Sequence, residues 1–366
     1  MPSVLLFTQD LQLAGSQRQC VELALGLAAA DGWSVQVATM EQGGPLEAVL
    51  HGAGVPLHVC PRAWRWDLSP ARMLASLARD QKLDLIYSFL FLPNFYARLS
   101  RLFNPRPVVV SSMRSSSVPG WYRYVTEILM APLCNLVIAN SESGRNALIA
   151  RGVSPGRVMV IRNGLDLGRF SKLRPAGARP AGAGRGARNG MVARMEEDKD
   201  HATVVKALAK VAAGFPDVRL ILAGDGSLRP LIEAQVRIHE LADRVTLLGN
   251  VDHPEQVYGD IDIYVQASSI GEGTSNSMIE AMASGLPIIA TGLGGNREVV
   301  VDGSTGILVP PRDPGALAEA MQRLLRDPAL AVRMGEEGRR RALANYSRAS
   351  MVAATSEVFA RLLRGR

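Results

Sequence analysis

Two glutamates stand eight residues apart in a polar, glycine-containing segment, residues 268–291. The apolar run 263–266 predicts a strand just before this segment, and a helix is predicted to start near Ser275. Glu272 then lies on the loop and Glu280 about one turn into the helix. Backbone N–H groups at a helix N-terminus can bind phosphate or sugar oxygens, and those available here belong to Gly273, Thr274, Ser275 and Asn276.

A simpler role for Glu280 is also open. Ser277 and Glu280 have the spacing of a capping box, in which the glutamate only accepts from a backbone N–H of its own helix. The spacing does not separate the two interpretations.

Two cations, Arg194 and Lys199, follow the predicted strand 191–193. Arg194 is expected to close that strand and Lys199 to open the next helix, so both could face a ligand. Two fixed cations can neutralise a diphosphate, and a guanidinium suits bidentate contact. The alternative is a set of surface salt bridges to Glu196, Glu197 or Asp198.

Other groups with metal-binding chemistry do not cluster. Asp260 and Asp262 form an Asp-x-Asp pair, but no third carboxylate or histidine accompanies them, and the five histidines lack ligand spacing. Three scattered cysteines exclude a disulfide framework and a C-x-x-C zinc site. We therefore expect no metal and no cofactor.

Short apolar runs alternate with helix-length amphipathic segments along the whole chain. The runs are continuous, as in strands covered on both faces. The predicted fold class is α/β, with two Rossmann-like doubly wound domains that face each other across a cleft at the carboxyl ends of their strands. We expect an N-terminal domain at 1–168, an Ala/Gly/Pro/Arg-rich linker at 169–190, a C-terminal domain at 191–346 and a final helix at 347–366 that could pack back on the first domain.

Composition excludes several protein classes. The chain has 366 residues, 47% hydrophobic, which excludes a disordered protein, a collagen-like repeat and a coiled coil. No signal peptide is recognised, and no apolar stretch reaches the roughly 20 residues of a bilayer span. We expect a cytoplasmic protein that lies peripherally on the inner face of the cytoplasmic membrane.

The Glu272…Glu280 segment resembles the Glu-x7-Glu signature of the family 4 (group 1) retaining glycosyltransferases, which have the GT-B fold. Further resemblances follow the family's order along the chain. They are Gly15-Ser16-Gln17-Arg18 (the glycine loop), Asn163-Gly164-Leu165-Asp166 with Arg169-Phe170, Arg194 with Lys199, Gly224 in a glycine turn, and residues 281–287.

The resemblance implies a role for each of these residues. Arg194 and Lys199 would bind the donor diphosphate and stabilise it as leaving group, Glu280 would accept the ribose hydroxyls, and Glu272 with the following amides would hold the transferred sugar and phosphate. Gly15, Gly224 and Asn163 would contribute to donor binding, and Ser16 to the acceptor or sugar. It also implies a front-face transfer with retention from a UDP- or GDP-sugar, without a covalent nucleophile.

This chain departs from the family at the histidine that contacts the transferred sugar in many members. Ser111-Ser112-Met113-Arg114 stands in that region, and Arg114 could touch the donor phosphate or sugar, or could be structural or bind the acceptor. Expected acceptors are saccharides, lipid-linked saccharides or other envelope precursors. The alternatives are a non-catalytic two-lobed nucleotide-sugar-binding protein and a GT-B sugar-nucleotide epimerase.

The +7 net charge raises the question of an anionic partner. No motif for nucleic-acid binding is present, so we expect none. Between 61 and 110 basic and apolar residues alternate, as on a surface that binds anionic lipid headgroups; the other interpretation is a solvated arginine face on ordinary helices. The residues are Arg62, Arg65, Arg72, Arg79, Lys82, Arg98, Arg101, Arg106, Trp64, Trp66, Met73, Leu74, Leu77, Phe95 and Tyr96.

Overall fold

The computed structural model describes residues 1–30, 32–64, 67–114, 121–173 and 186–365. The chain divides into two compact units: Met1–Asp166 together with Tyr346–Arg366, and Leu167–Asn345. Residues 174–185 of the predicted linker lie outside the described ranges.

The first unit is built on a seven-stranded, all-parallel sheet with strand order β3-β2-β1-β4-β5-β6-β7. Its elements are β1 (Ser3–Thr8), α1 (Gly15–Ala29), β2 (Ser34–Thr39), α2 (Glu47–Gly52), β3 (Leu57–Val59), α3 (Ser69–Asp80), β4 (Leu85–Ser88), α4 (Phe91–Ser100), β5 (Val108–Met113), α5 (Trp121–Met130), β6 (Leu136–Ala139), α6 (Glu142–Ile149) and β7 (Val158–Val160).

Strand β1 shows why these runs are apolar throughout. Val4 and Leu6 belong to one hydrophobic cluster, whereas Leu5 and Phe7 belong to another. All four side chains are fully buried. Because successive side chains of a strand point to opposite faces, the sheet is covered on both sides, and strict polar alternation is absent.

The second unit contains a six-stranded parallel sheet with strand order β10-β9-β8-β11-β12-β13. Its elements are α7 (Gly168–Ser171), β8 (Arg188–Val192), α8 (His201–Ala212), β9 (Arg219–Ala223), α9 (Arg229–Ile238), β10 (Val245–Gly249), α10 (Pro254–Asp260), β11 (Ile263–Gln266), α11 (Asn276–Ala283), β12 (Ile288–Thr291), α12 (Asn296–Val299), β13 (Gly306–Val309), α13 (Pro314–Arg326) and α14 (Pro328–Asn345).

The last helix, α15 (Arg348–Arg364), belongs to the first unit. Phe359 packs edge-on against Trp33 and Tyr87, with ring centroids 5.7 and 5.6 Å apart. Met351, Val352 and Val358 join the same core cluster. The C-terminal segment thus completes the hydrophobic core of the unit in which the chain begins.

Two parallel, helix-covered sheets confirm the predicted α/β fold class. None of the helices within the described ranges combines the length and the apolar character that a bilayer span requires.

Candidate active site

The predicted donor-site residues of the second unit gather at the carboxyl edge of its sheet. Strand β8 is paired with β9 on one side and with β11 on the other. Because all three strands are parallel, the loops that follow them meet at one edge. Arg194, Gly224 and Glu272 lie on those three loops.

Lys199 and Glu272, 73 positions apart in sequence, form an ion pair of 2.5 Å between Nζ and Oε2. Nζ also lies 3.2 Å from Asp198 Oδ2. An ammonium group has three N–H donors, so two directed at carboxylates leave one for an anionic ligand. Lys199 is not on α8 as expected: it ends the short 3₁₀ turn Glu197–Lys199, and Asp200 caps the helix.

Arg194 lies two residues beyond β8, and its side chain is exposed. Within the described ranges its guanidinium takes part in no ion pair with Glu196, Glu197 or Asp198. Glu196 instead accepts from the backbone N–H of Ser227 (3.1 Å) and from its hydroxyl (2.8 Å). The salt-bridge alternative holds for Lys199 and Asp198 but not for Arg194.

The glycine turn after β9 brings two backbones into contact. Gly224 has φ +126°, and a Cβ there would collide with the Ala193 carbonyl. The N–H of Met195 donates to the Asp225 carbonyl at 2.9 Å. Only glycine combines this conformation with this approach, so Gly224 shapes the loop that carries Arg194.

The loop that carries Glu272 is tied to its neighbours through backbone groups. The Ser269 N–H and hydroxyl donate to the carbonyls of Asp198 and Glu197, each at 3.0 Å. The Gly295 N–H donates to the Glu272 carbonyl at 2.8 Å. The two bonds from Ser269 fix the spacing between the Lys199 turn and the Glu272 loop, and the Gly295 bond ties the Glu272 loop to the loop after β12.

The amides predicted to receive a ligand lead into α11. Gly273, Thr274, Ser275 and Asn276 are all buried. Ser275 is the N-cap, but its hydroxyl lies 3.1 Å from the Ser277 hydroxyl and does not cap the helix.

Glu280 does not form the capping box that its spacing allowed. Ser277 lies inside α11, not at its N-cap. The Glu280 side chain is only 1% exposed, and its Oε2 accepts from the Tyr258 hydroxyl at 2.8 Å. Glu280 is therefore anchored by tertiary contacts.

His201, to which the sequence analysis assigned no role, is the first residue of α8 and follows Lys199 by two positions. It is 3% exposed. Burial, reinforced by the positive charge of Lys199, lowers the pKa of His201 to about 4. Its imidazole is therefore neutral at pH 7 and adds no charge to the cations beside it.

In the first unit, the predicted residues lie at two places. Gly15 starts α1 and is exposed, Ser16 is half-buried, and the N-cap Ala14 has no capping side chain. Arg114 follows β5 and donates to Asn163 Oδ1 at 2.8 Å, with its guanidinium carbon 4.8 Å from the centroid of the Phe89 ring. Arg114 thus has structural partners, and its contact with a donor stays a prediction.

Gln19 is a residue that sequence reasoning missed. Its amide forms two buried hydrogen bonds with the backbone of Gly164: the side-chain NH₂ donates to the carbonyl (3.2 Å), and the side-chain oxygen accepts from the N–H (3.1 Å). A buried amide on a helix was the available signal. Gln19 therefore joins α1 to the Asn163-Gly164 segment.

The Asp-x-Asp pair lies at the opposite end of β11 from Glu272. Asp262 accepts from the Arg188 backbone N–H at 2.9 Å, and Asp260 lies 3.8 Å from the Arg188 guanidinium. In the part of the chain that the structure describes, no group of three or more His, Cys, Asp or Glu side chains could hold a metal ion.

The basic and apolar surface predicted in the first unit is narrower than expected. Leu74, Tyr96 and Arg98 are buried, at 0, 2 and 2% exposed. Arg98 pairs internally with Glu127 at 2.7 Å. Arg65 and Trp66 lie outside the described ranges.

We call the α3–α4 surface the exposed basic and large apolar side chains of α3, of the segment just before it and of residues 102–103 just after α4. Arg72 covers the Phe103 ring at 5.5 Å, and Arg79 donates to the Phe103 carbonyl at 3.3 Å. The surface consists of Arg62, Trp64, Leu68, Arg72, Met73, Arg79, Leu102 and Phe103.

Known proteins with similar sequences include glycosyltransferases. The chain is 31% identical over 228 residues to glycogen synthase of Mycobacterium tuberculosis, which covers 61% of this chain and 54% of that protein. It thus spans about half the length of that relative. It is 25% identical over 264 residues to N-acetylgalactosamine-N,N'-diacetylbacillosaminyl-diphospho-undecaprenol 4-alpha-N-acetylgalactosaminyltransferase of Campylobacter jejuni, covering 69% of this chain and 70% of that protein.

Solved structures agree on the fold. Anabaena HepE, determined in complex with UDP-glucose, superposes with a TM-score of 0.86 at 21% identity, covering 98% of this chain and 99% of that one. This likeness shows the GT-B fold.

Two family models cover most of the chain between them. Glycosyltransferase Family 4 matches residues 13–169, and Glycosyl transferases group 1 matches residues 187–327. Together with the two parallel sheets and the ordered motifs, these matches show that the chain belongs to the family 4 (group 1) glycosyltransferases of the GT-B fold.

Proposed function

We propose that this protein transfers a sugar, with retention, from a nucleoside diphosphate sugar to a saccharide acceptor. The observation that carries the proposal is the pairing of Lys199 with Glu272, next to the Arg194 loop at one sheet edge. UDP is the favoured nucleotide because HepE, a protein of the same fold, was determined with UDP-glucose.

The proposed chemistry is neutralisation of a leaving diphosphate. Sugar transfer breaks the bond between the anomeric carbon and the diphosphate oxygen, so negative charge grows on the leaving group. The exposed Arg194 and the remaining N–H of Lys199 supply positive charge, and preorganised charges of this kind act where charge develops. Catalysis in this proposal thus comes from positioning the substrates and from electrostatic stabilisation of the leaving group.

Glu272 and Glu280 receive different tasks in this proposal. Glu272, half-buried and paired with Lys199, would hold the transferred sugar together with the amides that follow it. Glu280, fixed by Tyr258, would accept the ribose hydroxyls.

For the acceptor we propose a saccharide on a lipid diphosphate or another envelope polysaccharide precursor. The name of the Campylobacter relative describes an acceptor of this class. Gly15, Ser16, Arg114 and Asn163 in the first unit are the proposed contacts for the acceptor and for the donor's sugar and phosphate.

We further propose that the α3–α4 surface binds an anionic membrane. Trp64 and Leu102 are 60 and 63% exposed, and the exposed Arg62, Arg72 and Arg79 belong to the same surface. Aromatic and aliphatic side chains among arginines suit the headgroup region of a bilayer. A lipid-linked acceptor would then be reached at the membrane surface.

We propose that transfer needs no metal ion, because Arg194 and Lys199 already supply the positive potential that a divalent ion would bring. Turnover is expected to be equal with and without EDTA. Loss of turnover in EDTA that Mn²⁺ or Mg²⁺ restores would contradict this proposal and make Asp260 and Asp262 candidate metal ligands.

Thermal unfolding against UDP, GDP, ADP and their sugars tests the donor. A ligand at about 100 times its dissociation constant should stabilise the protein by roughly 2.7 kcal/mol. We expect UDP and one or more UDP-sugars to raise the melting temperature most. Binding without any sugar transfer would favour a nucleotide-sugar-binding protein, and conversion of the sugar itself would favour an epimerase.

A further inference from the structure

Strand β11 carries two polar side chains on one face, although the side chains of a buried parallel strand are normally apolar on both faces. Tyr264 and Gln266 are two residues apart and 0 and 1% exposed, whereas Ile263 and Val265 on the other face belong to the core cluster. A buried polar pair of this kind needs hydrogen-bond partners.

The Tyr264 hydroxyl has partners on both sides. Its oxygen lies 2.8 Å from Gln266 Oε1, 2.9 Å from Ser277 Oγ and 3.4 Å from the Val192 carbonyl. A phenol has one proton, and the closest obligate acceptor is Gln266 Oε1. Ser277 Oγ and the Val192 carbonyl oxygen are the more distant acceptors for the same phenolic proton.

This contact orients the Gln266 amide. With Oε1 engaged by Tyr264, the NH₂ group faces Ser268 Oγ at 3.2 Å and Glu272 Oε1 at 3.5 Å. The reverse orientation would place Oε1 against a carboxylate, and two acceptors repel each other. The Ser268 hydroxyl also donates to Glu272 Oε1.

Glu272 is thus held from two sides. Gln266 and Ser268 direct donors at Oε1, and Lys199 directs its ammonium at Oε2. The hydrogen-bonded path runs from the Tyr264 hydroxyl through the Gln266 amide to the carboxylate. Hydrogen bonds in series polarise one another, which strengthens each link.

We propose that Tyr264, Gln266 and Ser268 are positioning residues that hold the Glu272 carboxylate against Lys199. Only the consequence for turnover rests on the proposed function. The geometric claim concerns five side chains and can be tested without any substrate.

The chain's five lysines allow a direct test by reductive methylation followed by mass spectrometry. Lys206 and Lys210 are exposed on α8 and serve as internal references. In the wild type, Lys199 should be methylated more slowly than both. Glu272→Gln removes the ion pair and therefore gives the upper limit for the increase in the methylation rate of Lys199.

Gln266→Met and Tyr264→Phe should each raise the methylation rate of Lys199 severalfold, toward the rate measured in Glu272→Gln. Tyr258→Phe removes a neighbouring phenol that donates to Glu280, and it should leave the Lys199 rate unchanged. Unfolding curves establish that each variant is folded. An unchanged Lys199 rate in folded Gln266→Met, or in Glu272→Gln, overturns the proposal.

Turnover of UDP-glucose gives the second readout. Both variants should lower kcat with little change in donor KM, and the double variant should fall no further than Gln266→Met because the links act in series. Multiplicative losses would overturn the series arrangement. If methylation behaves as expected but the wild type transfers a sugar from none of the UDP- and GDP-sugars, the proposed function fails and the positioning network stands.

Discussion

At the scale of single residues, the candidate site combines paired charges with a neutral buried base. Lys199 is fixed between Asp198 and Glu272, while His201, two positions later, is kept uncharged by burial. A protonated imidazole there would add a further positive charge next to Lys199 without solvent to screen it. Stability should therefore depend on the protonation of His201.

The pH dependence follows from the lowered pKa. Between about 6.5 and about 4 the unfolded chain binds a proton at this histidine and the folded protein does not. The free energy of unfolding should thus decrease as the pH falls through that window, by about 2 kcal/mol between pH 7 and pH 5 from this group.

Urea unfolding of the wild type and of His201→Leu at pH 7 and pH 5 measures this contribution. The variant cannot titrate at this position, so its free energy of unfolding should decrease by about 2 kcal/mol less than that of the wild type between pH 7 and pH 5. Equal losses in both proteins would show that His201 does not carry the dependence.

The sequence was sufficient to predict that Glu272 and Lys199 lie at one sheet edge, because each follows a strand of one parallel sheet. It did not reveal their direct pairing, since that depends on how the loop after β8 meets the loop after β11. The partners Gln266 and Ser268 were missed although polar residues in a buried strand were a usable signal. Gln19 was missed because its partner Gly164 is 145 positions away.

At the scale of elements, one glycine permits α15 to close on the first unit. A Cβ on Gly164 would lie 2.5 Å from Met351 Cβ and 2.6 Å from the Ser347 carbonyl oxygen. The backbone there is also paired, with the Arg348 N–H donating to the Leu165 carbonyl at 2.8 Å. The Asn163-Gly164 motif therefore has a packing role besides the one its family resemblance implies.

Gly164→Ala should destabilise the protein by about 1–3 kcal/mol, because the helix start would have to shift. Gly156→Ala is the matched control, since a Cβ there meets nothing within 4 Å. Chemical denaturation of both variants measures the difference. Equal stability of the two would mean that α15 does not pack closely on Gly164.

Most elements of both sheets could be predicted, because continuous apolar runs mark strands buried on both faces. Strand β5 continues past its apolar residues 108–110 to Met113, because buried Ser112 and Met113 continue the ladder with β6. Polar residues at the end of a central strand do not show in the apolar pattern, so the length of the strand is set by its hydrogen bonding to the neighbouring strand.

At the scale of the whole molecule, the charge distribution bears on where the protein works. The α3–α4 surface should bind vesicles with anionic lipids in a salt-sensitive manner, since each basic residue near an anionic surface contributes about 1 kcal/mol. Arg62→Glu combined with Arg72→Glu should abolish vesicle co-sedimentation. Lys210→Glu combined with Arg237→Glu makes the same charge change on exposed helix positions of the second unit and should leave binding intact.

Equal recovery with neutral and anionic vesicles at low salt would contradict a membrane-binding surface. A soluble acceptor would then be the better proposal. Loss of binding in both double variants would indicate a response to net charge alone.

The central claim, that Arg194 and Lys199 stabilise a leaving diphosphate, is tested most directly by the release of nucleoside diphosphate from a panel of UDP- and GDP-sugars. The wild type should release it from at least one donor. Arg194→Ala and Lys199→Ala should each slow that release by about 100-fold or more while remaining folded. Lys206→Ala, at an exposed position of α8, should match the wild type. Release at the wild-type rate in both Arg194→Ala and Lys199→Ala would contradict the account.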